Sequence, residues 1–200
     1  MTATAEARIA DLERRLSGGY QLLQALVGIR LRSVRDPESR RHLTWLSDVV
    51  AAMGLINRRI AEGGSVDFAA YLDDAAGFWR RNCETRGLRI DLRAAPDDLP
   101  ETHAVPLAMI VHELMSNAVR HAFPDERRGF IAIAYSRASD GVSLVVRDSG
   151  VGATALVKGD GLALVEGLVA HLGGAVAIDS ATGAGVGVRV RLPLRPDITH

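Results

Sequence analysis

The sequence predicts an α+β protein in which an N-terminal helical hairpin is followed by a two-layer α/β sandwich. Before about residue 64, apolar residues recur at three- and four-residue spacing, which is typical of helices packed along a seam. After residue 65, helical periods alternate with short segments in which every second residue is apolar. The 200 residues are 48% hydrophobic and 24% charged, which suits one large or two small globular domains.

The balance of charge and the single cysteine exclude several classes of protein. Lys and Arg number 24 and Asp and Glu number 24, whereas a general nucleic-acid or membrane-surface binder usually has a basic excess. Cys83 alone cannot form an internal disulfide or a cysteine-built metal site. No apolar run reaches about 18 residues, and the first residues lack an apolar signal core. We therefore expect a cytoplasmic protein that binds neither nucleic acid nor membrane.

Residues 5–62 are predicted to form two long antiparallel helices. Leucines and isoleucines follow one stripe of each helix, and the turn between them contains Asp36, which can cap the second helix, and Pro37, which suits a first helical turn. A lone hairpin of this size buries little surface, so its apolar stripes need a partner. Either two copies form a four-helix bundle, which we favour, or both stripes pack on the rest of the same chain. The first alternative predicts a homodimer through residues 5–62.

Residues 65–200 are predicted to form a largely antiparallel sheet with helices on one face. A helix with one apolar side is expected over about 67–86, and Gly87 can end it. The strand LRIDLR follows, and a loop rich in Pro and Asp at residues 95–100 leads to a helix over about 105–122. Hairpin strands, a glycine-rich loop, a helix and a final strand pair complete the expected order: 129–136, 142–148, 149–161, 162–172, 175–180 and 186–194.

The first cluster with chemical potential lies on the helix expected over 105–122, in the segment HELMSNAVRHAFP. Glu113 and Asn117 lie four residues apart, and Arg120 and His121 follow on the same helix face. A carboxylate and an amide can position a magnesium ion through oxygen and water, and neighbouring cations can meet phosphate oxygens. The alternative is a solvated helix face stabilised by i, i+4 pairs, and this cluster alone does not decide between the two.

Two glycine-rich segments offer further candidates for ligand binding. Asp148, Gly150 and Gly152 come directly after a predicted strand, where the glycines allow a sharp turn. The carboxylate there can accept a hydrogen bond from an exocyclic amine such as that of adenine. Gly159 and Gly161 open an apolar helix whose free N–H groups form an anion site. This second segment is neither a Walker A loop, because no Gly-Lys-Ser/Thr follows, nor a dinucleotide fingerprint, because the third glycine is missing.

The order and spacing of these three segments resemble the catalytic core of sensor histidine kinases, in the subfamily typified by the HWE kinases. HELMSNAVRHAFP is similar to the N box of that family, RDSGVG (147–152) to its G1 box and GDGLALV (159–165) to its G2 box. Residues 153–158, between the two glycine boxes, form a short connection, as in this subfamily. The segments LVAHLGG, GVRVRLPL and VDFAAYL also fit, so the resemblance covers about residues 10–195.

The resemblance implies a sandwich of the GHKL ATPase type with a site for ATP and magnesium. Asn117 would hold the magnesium ion, Arg120 and His121 would face the phosphates, and Asp148 would bind adenine. Glu113 corresponds to the residue that assists proton removal from the phospho-accepting histidine. The other implied ATP-binding residues would shape the pocket or close over the triphosphate: Gly150, Gly152, Gly159, Gly161 and Leu162.

The expected phospho-acceptor position departs from the family pattern. In a gapless match Arg14 takes the place of the histidine, or Glu13 if the register slips by one, and no histidine occurs before His42. A guanidinium group stays protonated and cannot accept the phosphoryl group in this chemistry. The usual Lys-Asn-Asn that follows is replaced by Ser17-Gly18-Gly19, and two mid-helix glycines cost about 1 kcal/mol each relative to alanine.

Residues 1–64 are thus expected to be a dimerisation and phosphotransfer-like domain without its acceptor, and residues 65–200 an ATP-binding catalytic domain. Three functions stay open. The first is a histidine-kinase-like regulator of two-component signalling that binds ATP and acts on a response regulator or a partner histidine kinase without autophosphorylation. The second is an active ATP-dependent kinase that phosphorylates a partner in trans. The third is a phosphotransferase-like adaptor that docks response regulators without nucleotide.

Overall fold

The computed structural model describes residues 19–57, 59–60, 64–153 and 159–194. Within these ranges, two N-terminal helices are followed by helices packed on one face of a sheet, as the sequence predicted. The predictions for Arg14 and its neighbours fall outside the described residues. None of the helices in the described ranges combines the length and hydropathy that a membrane span requires.

The two N-terminal helices are α1, at residues 19–33, and α2, at Pro37–Asn57. The Asp36 carboxylate accepts a hydrogen bond of 2.7 Å from the Ser39 backbone N–H, so the predicted cap of α2 is confirmed, and Pro37 is the first helical residue. Hydrogen bonds from Ser39 lower the pKa of Asp36 below its ordinary value. The turn between the helices is therefore fixed by local chemistry within four residues.

The next helix, α3 at Phe68–Cys83, has a defined beginning and end. The Asp67 carboxylate caps it by accepting a bond of 2.9 Å from the Ala70 N–H, and a 3₁₀ turn at Glu84–Arg86 extends it to Gly87. Gly87 has φ 64°, the left-handed conformation expected of a glycine C-cap. The apolar side predicted for this helix is buried throughout: Phe68, Leu72, Ala75, Ala76, Trp79 and Cys83.

The described strands form two sheets. A small antiparallel pair joins β1 (Ser65–Asp67) to β3 (Asp98–Pro100). The main sheet has the strand order β2-β4-β5-β7-β6, in which β2 and β4 pair in parallel and the other neighbours are antiparallel. The bounds of its strands are β2 Leu88–Ala94, β4 Gly129–Ala138, β5 Gly141–Asp148, β6 Ala175–Ala181 and β7 Gly185–Pro193.

Two boundaries differ from the sequence prediction. Residues 95–100, expected as a loop, contain β3, whose only large apolar residue is the fully buried Leu99. The helix expected from about residue 105 begins at Glu101 and runs, as α4, to Asn117. Pro106 lies in the interior of this helix, where the carbonyl that it frees belongs to the exposed Thr102 and can bind water.

The segments that follow α4 lead directly to the glycine-rich region. A single π-helical turn at Ala118–Ala122 continues α4, and such turns are frequent at functional sites. Helix α5 spans Asp160–His171, two residues longer at its start than expected and one residue shorter at its end. Helices α4 and α5 pack with α3 on the inner face of the sheet. The buried inner-face residues of the central strands are Ile131, Ile133, Tyr135, Val142, Leu144, Val146, Val188, Val190 and Leu192.

The two hairpin helices differ in how they pack. Helix α2 lies against α4, and Ile56, 2% exposed, joins the main core. The apolar stripe of α1 stays open to solvent, as does one leucine of α2. These exposed residues are Leu22, Leu23, Leu26, Ile29 and Leu46. Part of the α2 stripe therefore packs on the same chain, as one of the two alternatives predicted. The stripe in the described part of α1 does not.

Candidate functional site

A cavity of about 430 Å³ lies between the end of α4, the end of β5 and the start of α5. Among the described residues, three polar side chains reach it, those of Asn117, His121 and Asp148. A mostly apolar cavity of this size with a few polar groups is typical of a small-molecule site. Its apolar lining comes from both layers of the sandwich: Leu114, Ala118, Ala122, Val146, Val151, Leu162, Ile178, Val186 and Val188.

Asp148 is the last residue of β5, and its carboxylate is fixed by the backbone around it. The residue is 5% exposed, and its Oδ1 accepts hydrogen bonds from the N–H groups of Gly150 at 2.8 Å and Val186 at 3.2 Å. Two backbone donors offset part of the cost of burying a charge. Both bonds go to Oδ1, and no hydrogen bond reaches Oδ2 from the described residues. Oδ2 is therefore the oxygen left for a donor in the cavity.

The loop after Asp148 is held close to its neighbours. Gly152 has φ 58°, and a Cβ there would stand 2.0 Å from the carbonyl oxygen of Ala181, so residue 152 must be glycine in this backbone. The preceding Val151 N–H donates to the Ala122 carbonyl at 2.9 Å. Gly150 is buried against the same residue, Ala122, and does not line the cavity.

The polar residues of α4 lie at different depths. Glu113 is 3% exposed, Asn117 is half-buried, and Arg120 and His121 are exposed. The solvated-face alternative therefore does not hold for Glu113. The Arg120 Nε donates to the Ser116 carbonyl at 3.2 Å, and its Nη2 lies 3.7 Å from Glu113 Oε1. Asn117 and His121 line the cavity, whereas Glu113 and Arg120 do not.

Glu113 lies behind the cavity wall, between α2 and α5. Its Oε2 accepts a hydrogen bond of 2.9 Å from the indole Nε1 of Trp45 on α2. A Cβ added at Gly161 would stand 1.8 Å from Oε1, so the first turn of α5 lies directly on the carboxylate. The side chain thus touches the cavity wall on one side and the N-terminal hairpin on the other.

Seven of the predicted site residues meet at this cavity: Asn117, His121, Asp148, Gly152, Gly159, Gly161 and Leu162. Sequence reasoning missed the apolar residues that β6 and β7 contribute, Ile178, Val186 and Val188, although strand alternation could have placed two of them on the inner face. It also missed Trp45, for which the sequence holds no signal, because its partner is 68 residues away.

Comparison with known proteins connects this site to an ATPase family. Residues 102–196 match the family described as "Histidine kinase-, DNA gyrase B-, and HSP90-like ATPase". Over 200 residues the chain is 28% identical to "Blue-light-activated histidine kinase 1" of Erythrobacter litoralis (strain HTCC2594), which covers 96% of this chain and 54% of that protein. It is also 28% identical to "Sensor histidine kinase PdtaS" of Mycobacterium tuberculosis (strain ATCC 25618 / H37Rv), with 94% and 40% covered. The chain thus spans about half, or less, of the length of these curated relatives.

Solved structures support the fold assignment. The histidine kinase domain of the Erythrobacter litoralis EL346 blue-light activated histidine kinase has a TM-score of 0.69 and 21% identity, with 87% of this chain and 96% of that chain covered. The mycobacterial sensor histidine kinase MprB has a TM-score of 0.52 and 22% identity, with 66% and 97% covered. At these identities the likeness concerns the fold, and it confirms the predicted class.

Proposed function

We propose that the chain binds ATP with magnesium as a regulator in two-component signal transduction. The premise is its similarity to sensor histidine kinases and the match of residues 102–196 to the histidine kinase-, DNA gyrase B- and HSP90-like ATPase family. The observation that carries the proposal is the convergence of three separate segments on one cavity. Residues from α4, from the loop after β5 and from the start of α5 line it together.

The cavity has the chemistry that an adenine base needs at one end. Asp148 offers its Oδ2 to an exocyclic amine, and the backbone hydrogen bonds to Oδ1 hold the carboxylate in place. Apolar side chains such as Ile178 and Val188 line the same cavity and suit the faces of a flat ring. Because an amine donor is needed to pair with Oδ2, this end favours adenine over a base that presents a carbonyl oxygen there.

The other end suits phosphate groups. Gly159 is the N-cap of α5 and carries no side chain, so the N–H groups of the first turn remain available to an anion. His121 lies on the same cavity and can donate to a phosphate oxygen. The Asn117 amide oxygen offers one ligand to magnesium, which commonly keeps several waters and binds phosphate oxygens besides one or two protein ligands. Bound ATP would supply a transferable phosphoryl group, with magnesium screening its charge.

We further propose that the chain does not phosphorylate itself at the usual position. In the gapless match to the family pattern Arg14, or Glu13 if the register slips by one, takes the place of the histidine, and an arginine cannot take up the phosphoryl group. Retained nucleotide motifs beside a lost acceptor support a regulator of a partner kinase or of a response regulator. The division into residues 1–64, for dimerisation and docking, and residues 65–200, for ATP binding, belongs to this proposal.

The exposed stripe of α1 supports a homodimer through residues 5–62. Leu22 is 61% exposed, Leu26 52% and Ile29 56%, and Leu46 of α2 is 41% exposed. Large apolar side chains clustered on a helix surface are typical of an interaction site. In a four-helix bundle a second copy would cover the stripe of α1 and Leu46 of α2, and the same surface is available to a partner histidine kinase with a similar hairpin.

One alternative is a kinase that phosphorylates a partner in trans. The retained carboxylate of Glu113, directly behind the cavity wall, favours it, because a general base would serve any acceptor that a partner brings. The second alternative is the adaptor that docks response regulators without nucleotide, in which the cavity would bind no nucleotide.

A nucleotide titration of the whole chain separates these functions. Calorimetry with ATP, with and without magnesium, is expected to give a Kd between about 1 μM and 1 mM, the range in which enzyme KM values usually lie, and weaker binding without the metal. Radiolabelled ATP should then leave the chain itself unlabelled. Label on an added response regulator or kinase supports transfer in trans, and absence of nucleotide binding leaves the adaptor and overturns the proposal.

A further inference from the structure

The π-helical turn that continues α4 carries part of the cavity wall. Ala118, His121 and Ala122 belong to this turn and line the cavity. A π-turn closes its hydrogen bond over one residue more than an α-turn, so a return to the α form would rotate the side chains at its end by about 100°. The direction of His121 relative to Asn117, which precedes the turn, therefore depends on the form that this turn adopts.

The sequence explains why this turn needs a hydrogen-bond donor from outside the helix. In the i→i+5 pattern of a π-turn, the carbonyl of Val119 faces the N–H position of residue 124. That residue is Pro124, which has no N–H. In the α form the same carbonyl would accept the N–H of Phe123. The π form therefore leaves the Val119 carbonyl without a backbone donor, and a donor from elsewhere in the chain favours this form.

Arg86 supplies that donor. It lies in the 3₁₀ turn after α3, it is half-buried, and its Nη1 donates to the Val119 carbonyl at 2.8 Å. The guanidinium stays charged, and a cation is favourable beside the carbonyl end of a helix. On the other side of the turn, the Ala122 carbonyl accepts the Val151 N–H at 2.9 Å. The turn is thus held by the end of α3 on one side and by the loop after β5 on the other.

We propose that Arg86 is a positioning residue that stabilises the π-helical turn and thereby holds His121 at the phosphate end of the cavity. The inference rests on the proposed function, in which this cavity binds ATP. Arg86 does not line the cavity itself and acts through the Val119 carbonyl. The two backbone bonds that fix Asp148 come from residues outside the turn, so the adenine end is expected to be independent of Arg86.

The test is a double-variant cycle on the affinity for ATP with magnesium, measured by calorimetry with the whole chain. Arg86→Met removes the donor and keeps a long side chain. We expect it to weaken binding at least about fivefold alone and less than about twofold beside His121→Ala, because the contact that depends on it is then already absent. A general loss of stability would act equally in both backgrounds. The matched control is Arg80→Met on α3. It removes a guanidinium that donates to the Ile90 carbonyl at 3.2 Å, away from the cavity, and should leave the affinity within about twofold.

The conservative variant and the nucleotide-free structure provide two further readouts. Arg86→Lys keeps a charged donor and should bind ATP within about threefold of the wild type, and Arg86→Gln takes the place of Arg86→Met if the latter does not fold. A crystal structure of nucleotide-free Arg86→Met should lack the i→i+5 bonds of the turn.

Three results would overturn the inference while the proposed function stands, provided that the wild type binds ATP. Arg86→Met could bind ATP within twofold of the wild type or keep the π-helical turn. It could weaken binding by the same factor with and without His121→Ala. Arg80→Met could weaken binding as much as Arg86→Met does. If the wild type binds no nucleotide, the inference and the proposed function are both overturned.

Discussion

Gly161 lies directly on the carboxylate of Glu113, and a Cβ at residue 161 would stand 1.8 Å from Glu113 Oε1. No side chain fits at that distance, so another residue at 161 would displace either the carboxylate or the first turn of α5. The two residues belong to segments that the sequence singled out for separate reasons. Their contact joins the wall of the cavity to the residue that Trp45 holds from the other side.

Gly161→Ala is expected to destabilise the chain through this contact. Forcing an extra methyl group into a packed site costs typically about 1–3 kcal/mol. In a Glu113→Ala background the same change should cost less than about 1 kcal/mol, because the methyl group then enters the space that the carboxylate leaves. Urea denaturation of the four proteins gives both values. Gly167→Ala is the matched control, since residue 167 lies on the same helix with open space around it. Equal effects at 161 and 167 would contradict the packing argument.

Asp148→Asn should abolish nucleotide binding without unfolding the protein. The asparagine oxygen can still accept the N–H groups of Gly150 and Val186, so the loop keeps its bonds. The amide nitrogen replaces Oδ2 and sets a donor against the adenine amine. Loss of a hydrogen bond to a charged group costs about 1.5–3 kcal/mol, or roughly 10- to 150-fold in affinity, and two opposed donors add to this.

Calorimetry with ADP measures the affinity of this variant, and its thermal midpoint reports the fold. Asp148→Ala is the informative comparison, because it also removes the acceptor of the two backbone N–H groups and should lower stability. Unchanged nucleotide affinity in Asp148→Asn would show that the adenine is not bound at this carboxylate.

Local chemistry explains which parts of the fold could be predicted from sequence. Asp36, Asp67 and Gly87 begin or end helices through bonds to residues three positions away. Asp36 and Gly87 were predicted as caps, whereas Asp67 was predicted only as the approximate start of its helix. The pairing of β1 with β3 was not predicted. Three-residue strands are too short to show a hydrophobic period, and Ser65 pairs with Pro100, 35 residues further along the chain. Element types follow from short-range patterns, whereas pairing of short strands depends on the whole fold.

The same distinction between local patterns and tertiary packing applies to the candidate site. The order of the three motifs brought Asn117 and Asp148 together by resemblance, and the cavity contains both. Helical spacing placed Glu113 on the same face as Asn117 but gave no information on what covers that face. The partner that buries it, Trp45, is brought there by tertiary packing of α2 on α4. A pattern predicts which side chains share a surface, and only the folded chain shows whether that surface is open.

A charge on the open stripe of α1 should break a homodimer without unfolding the chain. Leu26→Glu places a carboxylate at a residue that is 52% exposed in the single chain, where surface substitutions usually change stability by less than about 0.5 kcal/mol. In a four-helix bundle the same charge would be buried at the interface. Light scattering after size exclusion should give twice the mass of one chain for the wild type and the single mass for the variant. Phe130→Glu, at an exposed apolar residue of the sheet, should remain dimeric.

A single-chain mass for the wild type at concentrations of tens of micromolar would contradict the dimer. Dissociation of Phe130→Glu as well as Leu26→Glu would place the contact elsewhere.

Arg14→His is expected not to restore autophosphorylation. The substitution returns an imidazole to the acceptor position, but Ser17-Gly18-Gly19 still replace the basic, asparagine-containing stretch that follows it in the family pattern. Two glycines in the helix that the sequence predicts there would also cost about 1 kcal/mol each relative to alanine. Incubation with radiolabelled ATP and an acid-stability assay measures the product. Strong labelling of this variant at the introduced histidine would show that its surroundings are still competent.

Cys83 should react slowly in the folded chain and make stability fall in alkaline solution. It is fully buried on α3, and burial raises the pKa of its thiol above the ordinary value of 9.0, with the Arg86 charge opposing this. The folded form therefore keeps its proton where the unfolded chain has begun to lose one, so stability is retained below that value and lost as the pH rises past it. Iodoacetamide at pH 8 should modify the native thiol at least about tenfold more slowly than the thiol in urea. Between pH 8 and 10 the free energy of unfolding should fall more for the wild type than for Cys83→Ala, and parallel curves would contradict the assignment.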